Sequence, residues 1–368
     1  MNTNRRYDVD WLRTLATGGI FLFHTARFFN NEDWHIKNNM SSEGATIFVA
    51  ILVEWIMPLF FMLSALSVSY ALTRRGNGQY LSERFQRLII PLLFGIFTII
   101  PPQVYIERIT HGQFEGSFLQ FLPHYFDGMY GFGGNFAWMG LHLWYLLMLF
   151  IFSLITLPLF RLLLKSASIP NLFAFFHKPG MIFLLSIPIM LVELFVNTQP
   201  NGIGIHDFGG WSPLSYLVIF ILGYLISLDP RFQQTLARHA WAALVLAVVS
   251  IISGFLAVRY FHLSNRDELL AILRGFDTWA WLVAFMGLAA RYLNFSNSFL
   301  KYASEASLPF YILHQSVIVI VAFFMVNLPL GVSMKYPLLA IIAFAIIMAL
   351  YEGLVKRIKI FRCLFGMK

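Results

Sequence analysis

Charge is scarce in this sequence. Only 12% of its 368 residues are Asp, Glu, Lys or Arg, about half the share in a soluble chain of this size. Hydrophobic residues make up 58%, with 39 Phe among them, and the mean hydropathy is +0.70. Together these exclude a soluble protein with a large core and point to a polytopic membrane protein. Cysteine is almost missing as well. Cys363 is alone, so no intrachain disulfide framework is possible. Acidic residues number 18 against 26 basic ones, a net charge of +8. The basic residues are not gathered on one soluble segment, so the excess does not point to nucleic acid. No His-x-x-x-His pair occurs, and no metal site is expected. No Gly/Ser linker, low-complexity tract or repeat divides the chain, which reads as one integral membrane domain over 1–368. The first apolar segment contains Arg13 and is followed by no small-residue cleavage site, so it reads as a retained helix and not a signal peptide.

What is present is a series of apolar stretches of roughly 20 residues, the length of a membrane-spanning helix. Ten are expected, at 9–29, 46–72, 84–106, 139–160, 180–197, 212–228, 239–261, 268–290, 303–326 and 335–356. Pro58, Pro91, Pro188 and Pro309 fall in or near them, which membrane helices tolerate. With the N-terminus in the cytoplasm, most of the 26 Lys and Arg lie in cytoplasmic segments, loop after loop. The expected fold is therefore all-α and polytopic, with about ten transmembrane helices and both termini cytoplasmic. The longest outer loop, 107–138, is rich in aromatic residues and glycine. It reads either as an ordered loop lining a cavity or as a surface loop with aromatic anchors.

The stretch "WLRTLATGGIFLFHT" carries Arg13 and His24 on one expected helix. Eleven residues turn about 1100° and rise about 16 Å, so the two side chains share a face. Arg13 falls near the cytoplasmic end and His24 in the outer half. Other ionisable groups fall at the depth of His24: Glu54, His142 beside Trp144, Glu193, Arg274, Asp277 and His314. Such groups are costly in hydrocarbon and default to functional hypotheses. A polar cavity open to the outside is the economical reading; buried pairs and a snorkelling Arg13 are the plainer one. In the first, neutral His24 acts as general base on a hydroxyl, oriented by Glu54 or Asp277 as in a catalytic triad. On the cytoplasmic side Arg84 and Arg87, at i and i+3, share a face. They suit either an anionic ligand such as a phosphate or simple charge topology.

These segments resemble the bacterial acyltransferase-3 membrane family over nearly the whole chain. "DVDWLRTLATGGIFLFH" is similar to its Arg-x10-His opening, "WIMPLFFMLSAL" to its second-helix element with Ala65 where Gly is usual, and "RFQRLIIPLLFG" to its Arg-x-x-Arg pair. "HLWYLL" and "SLPFYILHQSVI" resemble later segments. The nearest type within the family places succinyl groups on periplasmic glucans. The resemblance implies ten core helices and a bacterial inner-membrane location. It implies acyl-coenzyme A (acetyl or succinyl) as cytoplasmic co-substrate, with no permanently bound cofactor, and an extracytoplasmic carbohydrate as acceptor. It makes His24 catalytic and Arg13, Arg84 and Arg87 donor contacts. His142, Trp144, Arg274 and His314 are the candidate substrate-binding residues. A second, hydrolase-like periplasmic domain found in some members is not expected within these residues. Two other readings fit the same residues: a secondary transporter using His, Glu and Asp as a proton relay, and an acyltransferase acting on a lipid or protein.

Overall fold

A computed structural model describes residues 5–128, 136–166, 168–198, 206–263 and 267–367. Residues 129–135, within the stretch 107–138 expected to be the longest outer loop, lie outside the described residues. The rest is helical, with no strand among the described residues and one isolated bridge between Phe208 and Trp211. By length and composition, five helices can cross a membrane: Glu43–Arg74, Arg231–Phe261, Glu268–Tyr292, Ser298–Met325 and Val332–Val355. Three bent pairs qualify if each counts as one span, giving up to 8. Of the other two expected spans, Tyr7–Arg27 forms a helix of 21 residues with Asp8, Asp10 and Arg13 in its first half. Pro213–Ser227 is apolar but only 15 residues long.

The three bends sit at prolines. Asn77–Ile99 and Pro101–Thr110 meet at 44°, where Pro101 and Pro102 withhold two amide donors. Leu141–Ile155 and Leu157–Lys165 meet at 53° with Pro158 just past the break. Asn171–His177 and Met181–Asn197 meet at 116°. There Pro179 is followed by Gly180 at φ 79°, a left-handed conformation that favours glycine.

Contacts divide the chain into two compact units. The first comprises Met1–Ala16, Val53–Leu81 and Phe152–Lys301. Its helices approach closely over small residues, the means by which apolar helices pack in a membrane. A Cβ on Gly287 would lie 2.2 Å from the Leu236 carbonyl oxygen, and one on Gly275 would lie 2.8 Å from the Met190 backbone. A Cβ on Gly223 would lie 2.9 Å from the Cβ of Ala65. Ala65 is therefore matched by a glycine on the opposing helix.

The second unit comprises Thr17–Leu52, Ser82–Ile151 and Tyr302–Lys368. The buried Lys335 donates to Asn38 Oδ1 and to the Val326 carbonyl, each at 2.9 Å. Lys37 caps the C-terminal end of Tyr7–Arg27, donating to the carbonyls of Arg27 at 2.7 Å and Asn30 at 2.6 Å. These bonds fix the segment between Arg27 and Glu43, which carries Trp34 and His35.

Candidate active site

Three of the sequence-predicted residues, His24, His142 and His314, come together in the second unit. His24 is on Tyr7–Arg27, His142 just before Trp144–Ile155, and His314 on Ser298–Met325. The His314 ring lies 5.1 Å from the rings of both His24 and His142. Trp34 stacks on His24 at 6.2 Å with an interplanar angle of 20°. Trp144 opens its helix two residues after His142, is half-buried, and lies 6.5 Å from the Tyr145 ring.

Hydrogen bonding fixes what each imidazole leaves over. His142 Nε2 lies 3.0 Å from the Ile312 carbonyl, and His314 Nδ1 lies 2.6 Å from the Tyr311 carbonyl. A carbonyl only accepts, so each of these nitrogens carries the proton. The neutral rings then present lone pairs at His142 Nδ1 and His314 Nε2. Neither atom has a hydrogen-bond partner among the described residues, and the same is true of His24 Nδ1 and Gln315 Oε1. Buried polar groups are overwhelmingly paired, so such atoms in one cluster make this a candidate site for a guest, water included. With three acceptors among them, the guest must donate. A hydroxyl-bearing molecule does so.

A second layer supports this cluster, and sequence reasoning missed it. His35 places Nδ1 2.5 Å from Glu107 Oε2. Its Nε2 accepts from the side-chain amides of Gln103 and Gln315, each at 2.9 Å. Ser316 Oγ donates to Gln103 Oε1 at 3.1 Å, which fixes that amide's orientation. Glu107, His35 and Gln315 thus form a chain ending at the free Gln315 carbonyl. The only sequence signals were His35 in a short polar connection and Gln315 beside His314.

Glu54, Arg274 and Asp277 come together in the first unit. Arg274 Nε bonds Glu54 Oε2 at 3.1 Å, and its guanidinium lies 4.0 Å from the Trp211 ring. Thr278 Oγ1 donates to the Glu54 carbonyl at 2.8 Å. Asp277, one turn beyond Arg274, is buried, and its Oδ1 has no partner among the described residues. Glu193 bonds Ser215 and, at 3.3 Å, His206. Arg13, in the same unit, reaches the Leu63 carbonyl and Ser67 Oγ at 3.5 Å and is 37% exposed. Arg84 and Arg87 belong to the second unit. Arg84 ends Asn77–Arg84, and Arg87 sits in the π-helical turn Phe85–Ile89, a distortion frequent at functional sites. No group of three or more His, Cys, Asp or Glu among the described residues is placed to hold a metal ion.

A family profile described as an acyltransferase domain, that of the acyltransferase-3 family, matches residues 6–352. The chain belongs to the acyltransferase-3 family. It is an acyltransferase and a multi-pass membrane protein. Among curated relatives, it is 24% identical over 326 residues to glucans biosynthesis protein C of Escherichia coli K12, covering 84% of this chain and 81% of that one. The proteins of the same name from strains O6:K15:H31 and O81 are 24% and 23% identical, with the same coverage. No solved structure matches.

Proposed function

We propose that this acyltransferase moves an acetyl or succinyl group from cytoplasmic acyl-coenzyme A to a hydroxyl of an extracytoplasmic carbohydrate, with His24 as general base. The relatives' name, glucans biosynthesis protein C, favours a glucan as that carbohydrate. The reading rests on one observation: the partnerless acceptor nitrogens gathered around His24, at a site suited to a molecule rich in hydroxyl donors. His24 takes the hydroxyl proton as the oxygen attacks the thioester carbonyl. The tetrahedral intermediate then collapses, the C–S bond breaks, and the imidazolium returns its proton to the departing thiolate. His142 and His314 accept hydrogen bonds from further hydroxyls of the acceptor, and Arg84 and Arg87 meet the phosphates of the donor. The charge bias supports ten spans with both termini in the cytoplasm of an inner membrane, which carries thioester and acceptor to opposite faces.

The test uses the purified full-length protein with radiolabelled acetyl- or succinyl-coenzyme A and an oligoglucoside. The expected result is free thiol release with label on the sugar, and a loss of about 10²- to 10⁴-fold in His24→Ala at unchanged thermal unfolding. Transfer that persists in His24→Ala would falsify the assignment. Label found on lipid or protein would replace the carbohydrate as acceptor.

A further inference from the structure

The second unit holds a cavity of about 320 Å³, lined by Arg87, Ser304, Glu305, Leu308, Arg362 and Gly366 among others. Its walls are the π-helical turn Phe85–Ile89, the start of Ser298–Met325, and the C-terminal helix Lys359–Leu364 with the residues after it. The family match covers residues 6–352, and the wall that supplies Arg362 and Gly366 lies after that range.

That wall is held firmly. Gly366 adopts φ +68, and a Cβ there would lie 3.0 Å from the Arg87 carbonyl oxygen, a Leu308 methyl and the Pro91 ring. The Phe365 ring packs 5.4 Å from Phe94. The Met367 amide returns to the Arg362 carbonyl at 2.8 Å. Two arginines, Arg87 and Arg362, line the cavity together with one carboxylate, Glu305. Arg362 Nη1 lies 3.4 Å from Glu305 Oε1, with side chains 31% and 45% exposed, and a pair this exposed is readily exchanged for a better acceptor. Ser304 Oγ is buried without a partner among the described residues. Lys356, Arg357 and Lys359, shortly before Arg362 in the chain, add positive charge to this segment.

We propose that this cavity binds the phosphate end of the nucleotide-bearing thioester donor, Arg87 and Arg362 gripping its phosphate oxygens while Ser304 donates a hydrogen bond. Two arginines and a hydroxyl donor lining one cavity suit a phosphate monoester. The volume is at the small end of ligand pockets, which run from about 300 to 1,000 Å³, so the site takes part of the donor and leaves the thioester to lie elsewhere. Glu305 acts as a placeholder: it holds Arg362 while the cavity lacks an anion, and repels one that enters. Arg362 is therefore a specificity residue for the nucleotide. The proposal rests on the acyl-coenzyme A reading above.

The experiment compares acetyl- or succinyl-coenzyme A, its 3′-dephospho form and the corresponding acyl-pantetheine as donors for the purified full-length protein. In Arg362→Ala the ratio of KM for acyl-coenzyme A to KM for acyl-pantetheine should rise about tenfold, the loss of one charged hydrogen-bond pair. The dephospho donor should lose most of its sensitivity to this change. Glu305→Gln should move the ratio the other way, and Arg362→Lys should restore part of the loss. Opposite signs from two substitutions in one cavity are not produced by misfolding. Wild-type turnover of acyl-coenzyme A with ratios unmoved by either variant overturns the cavity assignment alone. No turnover of any acyl-coenzyme A by the wild type overturns the donor reading and the cavity with it. Variants that change only the retention of phosphatidylglycerol in nanodiscs would assign the site to a lipid headgroup instead.

Discussion

Asp229 shows at the scale of one residue how a buried carboxylate is kept ionised. It lies between Pro213–Ser227 and Arg231–Phe261, 2% exposed. Burial alone would raise its pKa, but the Arg231 side chain at 2.7 Å, the Arg231 amide at 3.0 Å and His177 Nε2 at 3.0 Å outweigh it and hold the carboxyl at about 2. A lowered carboxylate contributes stability that is complete above its unfolded value of 3.8 and lost as pH falls from there towards about 2. The contribution is at most about 2 kcal/mol, because Arg231 itself is exposed. Asp229→Asn should lower the unfolding temperature in detergent at neutral pH. Its acid-induced decline between pH 4 and pH 2 should be shallower than that of the wild type. Parallel declines would show that the pair is inert. The candidate site divides in the same residue-by-residue way into what sequence could and could not reveal. His24, His142 and His314 were legible because an imidazole in an apolar run is costly and therefore conspicuous. Gln103 and Gln315 were not, since an uncharged amide gives no such signal. His35 and Glu107 lie outside the deeply apolar runs, where polar residues are ordinary. Which residues share a compact unit was also hidden: Glu54 and Asp277 share theirs with Arg274, while the carboxylate tied to the histidine layer is Glu107.

At the scale of the element, the tightest constraint is Gly287 on Glu268–Tyr292. Even a methyl group there would need to occupy space 2.2 Å from a carbonyl oxygen and 2.8 Å from the Ala240 Cβ. Backbone of the neighbouring Arg231–Phe261 helix cannot give way as a side chain can. Gly287→Val should therefore force these two helices apart and destabilise the protein by about 1–3 kcal/mol or more, read as a lower unfolding temperature. Gly18, where an added Cβ would meet nothing within 4 Å, is the control: Gly18→Ala should leave the temperature unchanged or raise it slightly. Equal effects at both sites would mean that the close approach contributes nothing. The same distinction explains how much of the fold was legible. All ten apolar stretches are helical, because hydrophobic length is written directly in composition. The bends of 44°, 53° and 116° were not read, although each has its proline in plain sight. A window of hydropathy averages over a proline, whereas the backbone loses an amide donor at one point. The π-helical turns Phe85–Ile89, Gly95–Ile99 and Tyr351–Val355 left no trace in the apolar pattern at all.

For the whole molecule the open quantity is which side of the membrane each end faces, and the single cysteine makes it measurable. The proposed arrangement requires the thioester to arrive from the face that carries Arg84, Arg87 and the basic C-terminal segment, and the sugar from the opposite face. Positive residues are retained on the cytoplasmic side during insertion, and the proposed arrangement assigns the segment with Lys356, Arg357, Lys359 and Arg362 to that side. Cys363 is free and exposed, so it reports on that face without any engineered residue. A membrane-impermeant maleimide should leave Cys363 unlabelled in intact cells and label it fully once the membrane is permeabilised. The complementary probe is Gln113→Cys in a Cys363→Ser background. Gln113 is exposed, just beyond Pro101–Thr110, and its bond to the Arg108 carbonyl uses only its backbone amide, so the substitution keeps that turn. It should be labelled in intact cells. Both sites labelling from outside would break the alternation of faces on which the span count depends. A full reversal, with Cys363 outside and Gln113→Cys inside, would put the arginines on the acceptor's side and remove the basis for a cytoplasmic thioester.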